Sequence, residues 1–226
     1  ALPQDVLDAR PTLWVMYARI LWITHRSLQV EEKLQRAEAL LQGVPLDDQM
    51  QDTLGKVAAM RAMLAANEYR TETMIAQSQR ALDLLHAEND TVRLSVKRTL
   101  ASAHHIQGDR TEAIRAYEET IALCEASHNV FTNILASTGL GMVQALQTNL
   151  VEAERTFRHV LELVGASPKP VACEAYLGLA RIHYEWNDLR EAEEYGQLAL
   201  QMGRQIEGID TAVAAQLFLA QLALTR

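Results

Sequence analysis

Three short stretches of the chain share one shape: Asp109-Arg-Thr-Glu-Ala113, Asn149-Leu-Val-Glu-Ala153 and Asp188-Leu-Arg-Glu-Ala192. Each places a capping residue three positions before a Glu and follows it with Ala, the pattern of a capping box at a helix N-terminus. The alanines lie 40 and 39 residues apart, and weaker matches at Met74 and Val30 carry the series towards the N-terminus. Twelve positions before each anchor stands a small residue, Ala18, Ala62, Ala101, Gly141 or Ala180, and a sixth, Ala220, has no second helix after it. Small residues at a fixed interval mark places where helices approach closely, and such a period is the mark of stacked repeats.

The second helix of each unit supports this. Leu34, Tyr117, Phe157 and Gly196 lie four residues after their anchors, and Ala37, Ala81, Thr120, Val160 and Ala199 lie seven after, which gives one apolar stripe at helical spacing. Ala, Leu, Glu and Gln are abundant while glycines number 10 and prolines 5, a composition that favours helix. The expected fold is all-α, an α-solenoid of helix-turn-helix units at about 8–42, 52–87, 90–127, 131–165 and 171–204, with an unpaired helix at 210–226. Turn chemistry falls between them at Gly43-Val-Pro45, Gly165-Ala-Ser-Pro168-Lys-Pro170 and Gly208. Residues 1–226 read as one repeat domain, and the opening ALPQDVLDARP reads as the middle of a longer protein.

Several function classes find no support. A net charge of −8 disfavours a phosphate-binding surface, so no nucleic acid is expected as a partner of this chain. The longest apolar stretch, Leu13 to Ile23, is short and carries Arg19, so no membrane span is expected. Gly55-Lys56 is followed by Val57 and has Met50 where a phosphate-binding loop needs its first glycine; Gly139-Leu-Gly141 ends in Gln144 where a dinucleotide fingerprint needs glycine. No nucleophile, acid pair or metal-ligand spacing stands out, so the chain is expected not to be an enzyme and to hold neither cofactor nor metal. His104 and His183 occupy the same slot in two units and read as packing residues, because adjacent histidines such as His104 and His105 point about 100° apart on a helix. Cys124 and Cys173 fit buried thiols in a reducing, cytoplasmic setting.

Trp14, Tyr17-Ala18 and Leu21, and again Tyr176, Leu179-Ala180 and His183, fit the conserved slots of a tetratricopeptide repeat, with a period nearer 40 than 34. With the opening LPQDVLDARPTLWVMYARILW, the chain resembles the sensor region of MalT-like, LuxR-type transcriptional activators. The resemblance implies a right-handed superhelix that senses an effector or a protein and controls multimerisation of its parent. It also implies an ATP-binding module before the sensor and a DNA-binding helix-turn-helix domain after it, both outside this chain.

In such stacks the first helices line a concave groove. Offsets from the small position nominate Arg19 and Trp22, Met63 and Asn67, then Arg98, Ser102 and His105, then Thr138 and Met142, and finally Arg181, Tyr184 and Glu185 as the ligand- or partner-binding set. Arginines beside aromatic rings suit an anion, a sugar or an acidic peptide. The plainer reading pairs each arginine with a neighbouring acid, as Arg181 with Glu185. A rival function is a free-standing scaffold that docks a peptide in the same groove, and the apolar last helix could also pair with a second copy.

Overall fold

The computed structural model describes residues 4–24, 26–45, 47–206 and 210–225; Leu2-Pro3 of the opening and the expected turn at Gly208 lie outside them. The described residues form helices α1 (Gln4–Asp8), α2 (Pro11–Ile23), α3 (Val30–Leu41), α4 (Asp48–Asn67), α5 (Thr71–Leu84), α6 (Asp90–Gln107), α7 (Arg110–Ala126), α8 (Val130–Leu146), α9 (Leu150–Val164), α10 (Cys173–Glu185), α11 (Leu189–Gly203) and α12 (Thr211–Leu224), with 3-10 turns at Ser27–Gln29 and Pro170–Ala172. Helices α2–α3 and α4–α5 pack as pairs in the first half of the chain, and α8–α9 and α10–α11 in the second. The chain divides into two compact units, residues 1–109 with α1–α6 and residues 110–226 with α7–α12.

In the first unit α2, α4 and α6 lie side by side, α3 packs on α2 and α4, and α5 packs on α4 and α6. α1 was not anticipated. It is held by the buried Leu7 and by Asp8, whose carboxylate accepts the Trp14 indole N–H at 3.0 Å and the Arg36 guanidinium at 2.5 and 3.0 Å. After the turn at Gly43-Val-Pro45, α4 starts at Asp48, because the Asp47 side chain accepts the Met50 N–H at 2.8 Å and caps it there. Asp52 then ties the α5–α6 connection down, accepting from the His86 N–H at 3.0 Å and from the Asn89 amide, and pairing with Lys56 at 2.7 Å.

In the second unit α8 and α10 are neighbours, as are α10 and α12, with α7, α9 and α11 packed against them. Size complementarity sets the contacts. The Phe157 ring from α9 sits between Gly141 on α8 and Gly178 on α10, where an added Cβ would come within 2.7 and 2.4 Å of it. Tyr117 from α7 takes the space left by Gly139 on α8. The order is reversed at the end, where Gly196 on α11 makes room for Phe218 and Leu219 of α12.

All the anchors, Val30, Met74, Ala113, Ala153 and Ala192, are buried, as are the residues named four and seven positions after them. The small residues Ala18, Ala62, Ala101, Gly141 and Ala180 are buried too, but Ala220 is exposed, because among the described residues no second helix covers that side of α12.

The capping boxes form only in part. The turn within each of four pairs closes with a bond to the carbonyl five residues back: Arg70 N–H to Ala65 O (2.9 Å), Asp109 to His104 (3.0 Å), Asn149 to Gln144 (3.0 Å) and Asp188 to His183 (2.9 Å). These are Schellman closures, and the residue before each donor takes a left-handed conformation: Tyr69 (φ 54°), Gly108 (φ 84°), Thr148 (φ 60°) and Asn187 (φ 59°). The backbone N–H that a reaching-back Glu would need is therefore already used. Asp188 still caps α11 by accepting the Glu191 N–H at 3.3 Å, whereas Asn149 makes no side-chain cap, and Glu152 turns instead to Arg155 at 2.8 Å.

Candidate functional site

In the first unit, Arg19 and Trp22 project from α2, Met63 and Asn67 from α4, and Arg98, Ser102 and His105 from α6. Trp22 and Met63 are half-buried and both pack on the cluster built around Trp14, Ala18, Leu34 and Val57, so adjacent first helices bring them to one neighbourhood. Arg19 and Asn67 are exposed. Arg98, Ser102 and His105, at spacings of four and three, share one face of α6 and are all half-buried. Arg98 and His105 are both engaged by other groups of the protein.

In the second unit, Thr138 does not reach a surface. It is buried, and its hydroxyl donates to the Ile134 carbonyl at 2.8 Å. Thr138 lies four residues after Ile134 inside α8, so the hydroxyl closes back on its own helix instead of facing a ligand. Met142 and Tyr184 are half-buried against the core cluster, with the Tyr184 ring edge-on to Phe218 at 6.0 Å. Arg181 and Glu185 are exposed and form no ion pair with one another, unlike the i, i+4 pairing weighed for them.

Side chains that no short-range pattern singles out make a charged network that joins α3, α4 and α5 in the first unit. Arg61 donates to Glu31 at 3.0 and 3.1 Å and to Glu38 at 2.8 Å, and Glu38 also receives Arg80 at 2.7 Å. Burial pushes the Glu38 carboxyl up, but the hydrogen bonds from Arg80 and Arg61 outweigh it and leave the group below the ordinary carboxylate range. Beside this network a recess of about 480 Å³ is lined by Leu28, Glu31, Arg61, Leu64, Arg70 and Gln77. A second, of about 520 Å³, lies between the starts of α2 and α4 near Arg10, Thr12, Asp47 and Thr53. Each gathers residues from at least three elements, which is why periodicity along one helix does not reveal it.

His183 is buried against Trp186 and Tyr195, both 5.5 Å away between ring centroids, and neither ring nitrogen has a hydrogen-bond partner. Asp188 Oδ2 stands 3.7 Å from Nδ1, outside hydrogen-bond range. Cys124 and Cys173 are buried free thiols whose pKa burial raises. Among the described residues no three His, Cys, Asp or Glu side chains gather in a way that could hold a metal, and no helix is long and apolar enough to cross a membrane.

The family model described as "MalT-like TPR region" matches residues 55–226. The HTH-type transcriptional regulator MalT of Yersinia enterocolitica serotype O:8 / biotype 1B is 22% identical over 207 residues, covering 89% of this chain and 23% of that protein. MalT of Yersinia pestis (strain Pestoides F) is 24% identical over 202 residues, covering 86% and 22%. The chain thus spans less than a quarter of these relatives. Among solved structures, the apo form of the quorum sensor NprR from B. thuringiensis superposes with a TM-score of 0.74 at 13% identity, over 100% of this chain and 61% of that one. The apo form of RapI gives 0.69 at 10% identity, over 86% and 70%. At such identities the structural likeness concerns the fold.

Proposed function

The chain belongs to the MalT-like TPR-region family, and from that premise we propose that it is the sensing domain of an ATP-dependent, LuxR-type transcriptional activator. Its five helix pairs serve as one sensor. An effector or partner protein binds on the first-helix face and shifts the parent between a resting and a multimerising state, which requires different affinity for the two. ATP and DNA would be bound by other parts of the parent.

The observation that carries the reading is the composition of the first-helix face in the first unit. Arg19, Trp22, Asn67, Arg98, Ser102 and His105 remain accessible there, while the anchors and small residues of the same helix pairs are buried in the core. Guanidinium, hydroxyl and imidazole groups are suited to bind an anionic or hydroxyl-rich molecule.

The test is a thermal-shift screen of the protein against sugars, organic acids and aromatic or aliphatic carbon sources, with calorimetry on any hit. A ligand that binds only the folded state raises the melting point by mass action. The expected result is a saturable hit weakened at least ten-fold by Arg98→Ala with His105→Ala. A hit that this double variant leaves unchanged overturns the assignment of the face. Silence across the panel, with a peptide segment captured on the same face, replaces the effector sensor by a peptide-docking scaffold.

A further inference from the structure

The recess beside the Arg61 network gathers side chains that helical spacing does not connect. Leu28 comes from the 3-10 turn at Ser27–Gln29, Glu31 from α3, Leu64 from α4, Glu68 and Arg70 from the turn between α4 and α5, and Gln77 from α5, around a space of about 480 Å³. That volume falls within the roughly 300–1,000 Å³ of small-molecule sites.

Parts of this lining are committed to the fold and parts are not. Arg61 is committed: its Nε and Nη2 are held by Glu31 and its Nη1 by Glu38, and its side chain is 17% exposed. Glu68 and Arg70 are not. They meet at 2.5 Å through Nε alone, with side chains 60 and 53% exposed, and an exposed pair of this kind adds little to stability. The Gln77 amide oxygen is buried and accepts no hydrogen bond, a cost that the fold does not recover. Leu28 is 98% exposed, although Leu64 on the same recess is half-buried.

These groups define a ligand. The charges balance, Glu31 against Arg61 and Glu68 against Arg70. An anion that takes Arg70 leaves Glu68 unpaired, and a cation that takes Glu68 leaves Arg70 unpaired. A molecule carrying both charges replaces each half of the pair and exchanges one exposed contact for two charge-assisted bonds. Gln77 forfeits no bond to its oxygen on turning outward, and there an ammonium donor satisfies it. Leu28 and Leu64 offer the apolar wall.

We propose that this recess binds a free α-amino acid with an aliphatic side chain, its carboxylate on Arg70, its ammonium on Glu68 and the Gln77 oxygen, and its side chain against Leu28 and Leu64. None of these residues belongs to the candidate set on the first-helix face, so the two sites stand or fall separately.

The experiment titrates the 226-residue protein with L-leucine, with L-leucinamide, which keeps only the ammonium, and with N-acetyl-L-leucine, which keeps only the carboxylate, following heat by calorimetry and the Leu64 methyl resonances by NMR. The expected result is saturable binding of leucine that shifts the Leu64 methyls, with each analogue at least about ten-fold weaker, the worth of one charge-assisted bond. Arg70→Gln should weaken leucine and erase its advantage over leucinamide, and Glu68→Gln should erase its advantage over N-acetyl-leucine. Gln77→Ala should weaken leucine while leaving both preferences in place. Glu68 and Arg70 are exposed, so these variants keep the fold. No saturable binding, equal binding of the three compounds, or binding that neither Arg70→Gln nor Glu68→Gln weakens overturns the proposal. Binding of the dipeptide leucyl-leucine at least ten-fold tighter than leucine, lost in the same variants, also overturns it and makes the occupant a peptide.

Discussion

Gly178→Ala sets two physical effects against each other. In an exposed helix the change gains about 0.8–1 kcal/mol, because alanine loses less backbone freedom on folding. Here the new Cβ would stand 2.4 Å from Cε2 and Cζ of Phe157. Carbon atoms pack at about 3.5–4.0 Å, so the ring must retreat by roughly 1 Å or more. It has nowhere to go, being 1% exposed and pressed on its other side against Gly141. Overpacking of this kind costs typically about 1–3 kcal/mol. At the upper end, offset by the helix gain, the net loss is about 2 kcal/mol, a fall in melting temperature of roughly 4–8 °C. Urea and thermal denaturation of the 226-residue protein measure it. With Phe157→Ala in the background, the clash is gone and Gly178→Ala should stabilise by about 1 kcal/mol, a sign reversal that a double-mutant cycle reads directly. If Gly178→Ala alone raises the melting temperature, the account of Phe157 as a wedge between two first helices is wrong.

Thr148 is a β-branched residue in a left-handed slot (φ 60°) where an equivalent turn uses Asn187 (φ 59°), so Thr148→Asn should stabilise by about 1 kcal/mol and Asn187→Thr should cost a similar amount, both read by urea titration. His183→Phe keeps a ring between Trp186 and Tyr195 and removes two buried nitrogens without partners, so it should raise the melting temperature, whereas His183→Ala should lower it by opening a cavity. Burial pushes the Asp52 carboxyl up, and Lys56, the His86 N–H and Asn89 outweigh it, holding the group below its ordinary 3.8. A carboxyl depressed by folding adds stability above its unfolded pKa and loses it as pH falls through the folded value. Stability measured from pH 6 down to pH 3 should therefore decline less steeply in Asp52→Asn than in the parent sequence.

Much of the fold was legible in the chain because the repeat fixes helical phase. Once Ala113, Ala153 and Ala192 are aligned, the burial of Phe157, Val160 and Ala199 follows from spacing alone. The candidate surface was legible less fully. Arg19, Asn67 and Arg181 are exposed as the offsets imply, but Thr138 obeys the same arithmetic and is closed off by its bond to Ile134. An offset gives the direction of a side chain, and what lies in that direction depends on the neighbouring helix.

The same division runs through the whole protein. From the sequence alone come the period, the five helix pairs and the face of each helix that turns inward, because 3.6 residues per turn converts spacing into direction. Only the tertiary structure decides which partners meet across that spacing. Arg61 finds Glu31 and Glu38 on another helix, Asp52 holds the turn at His86 and Asn89, and Schellman closures take the N–H groups that complete capping boxes would have used. Ala220 is small like its five counterparts and yet exposed, for burial depends on whether a second helix lies against the residue as well as on the residue itself.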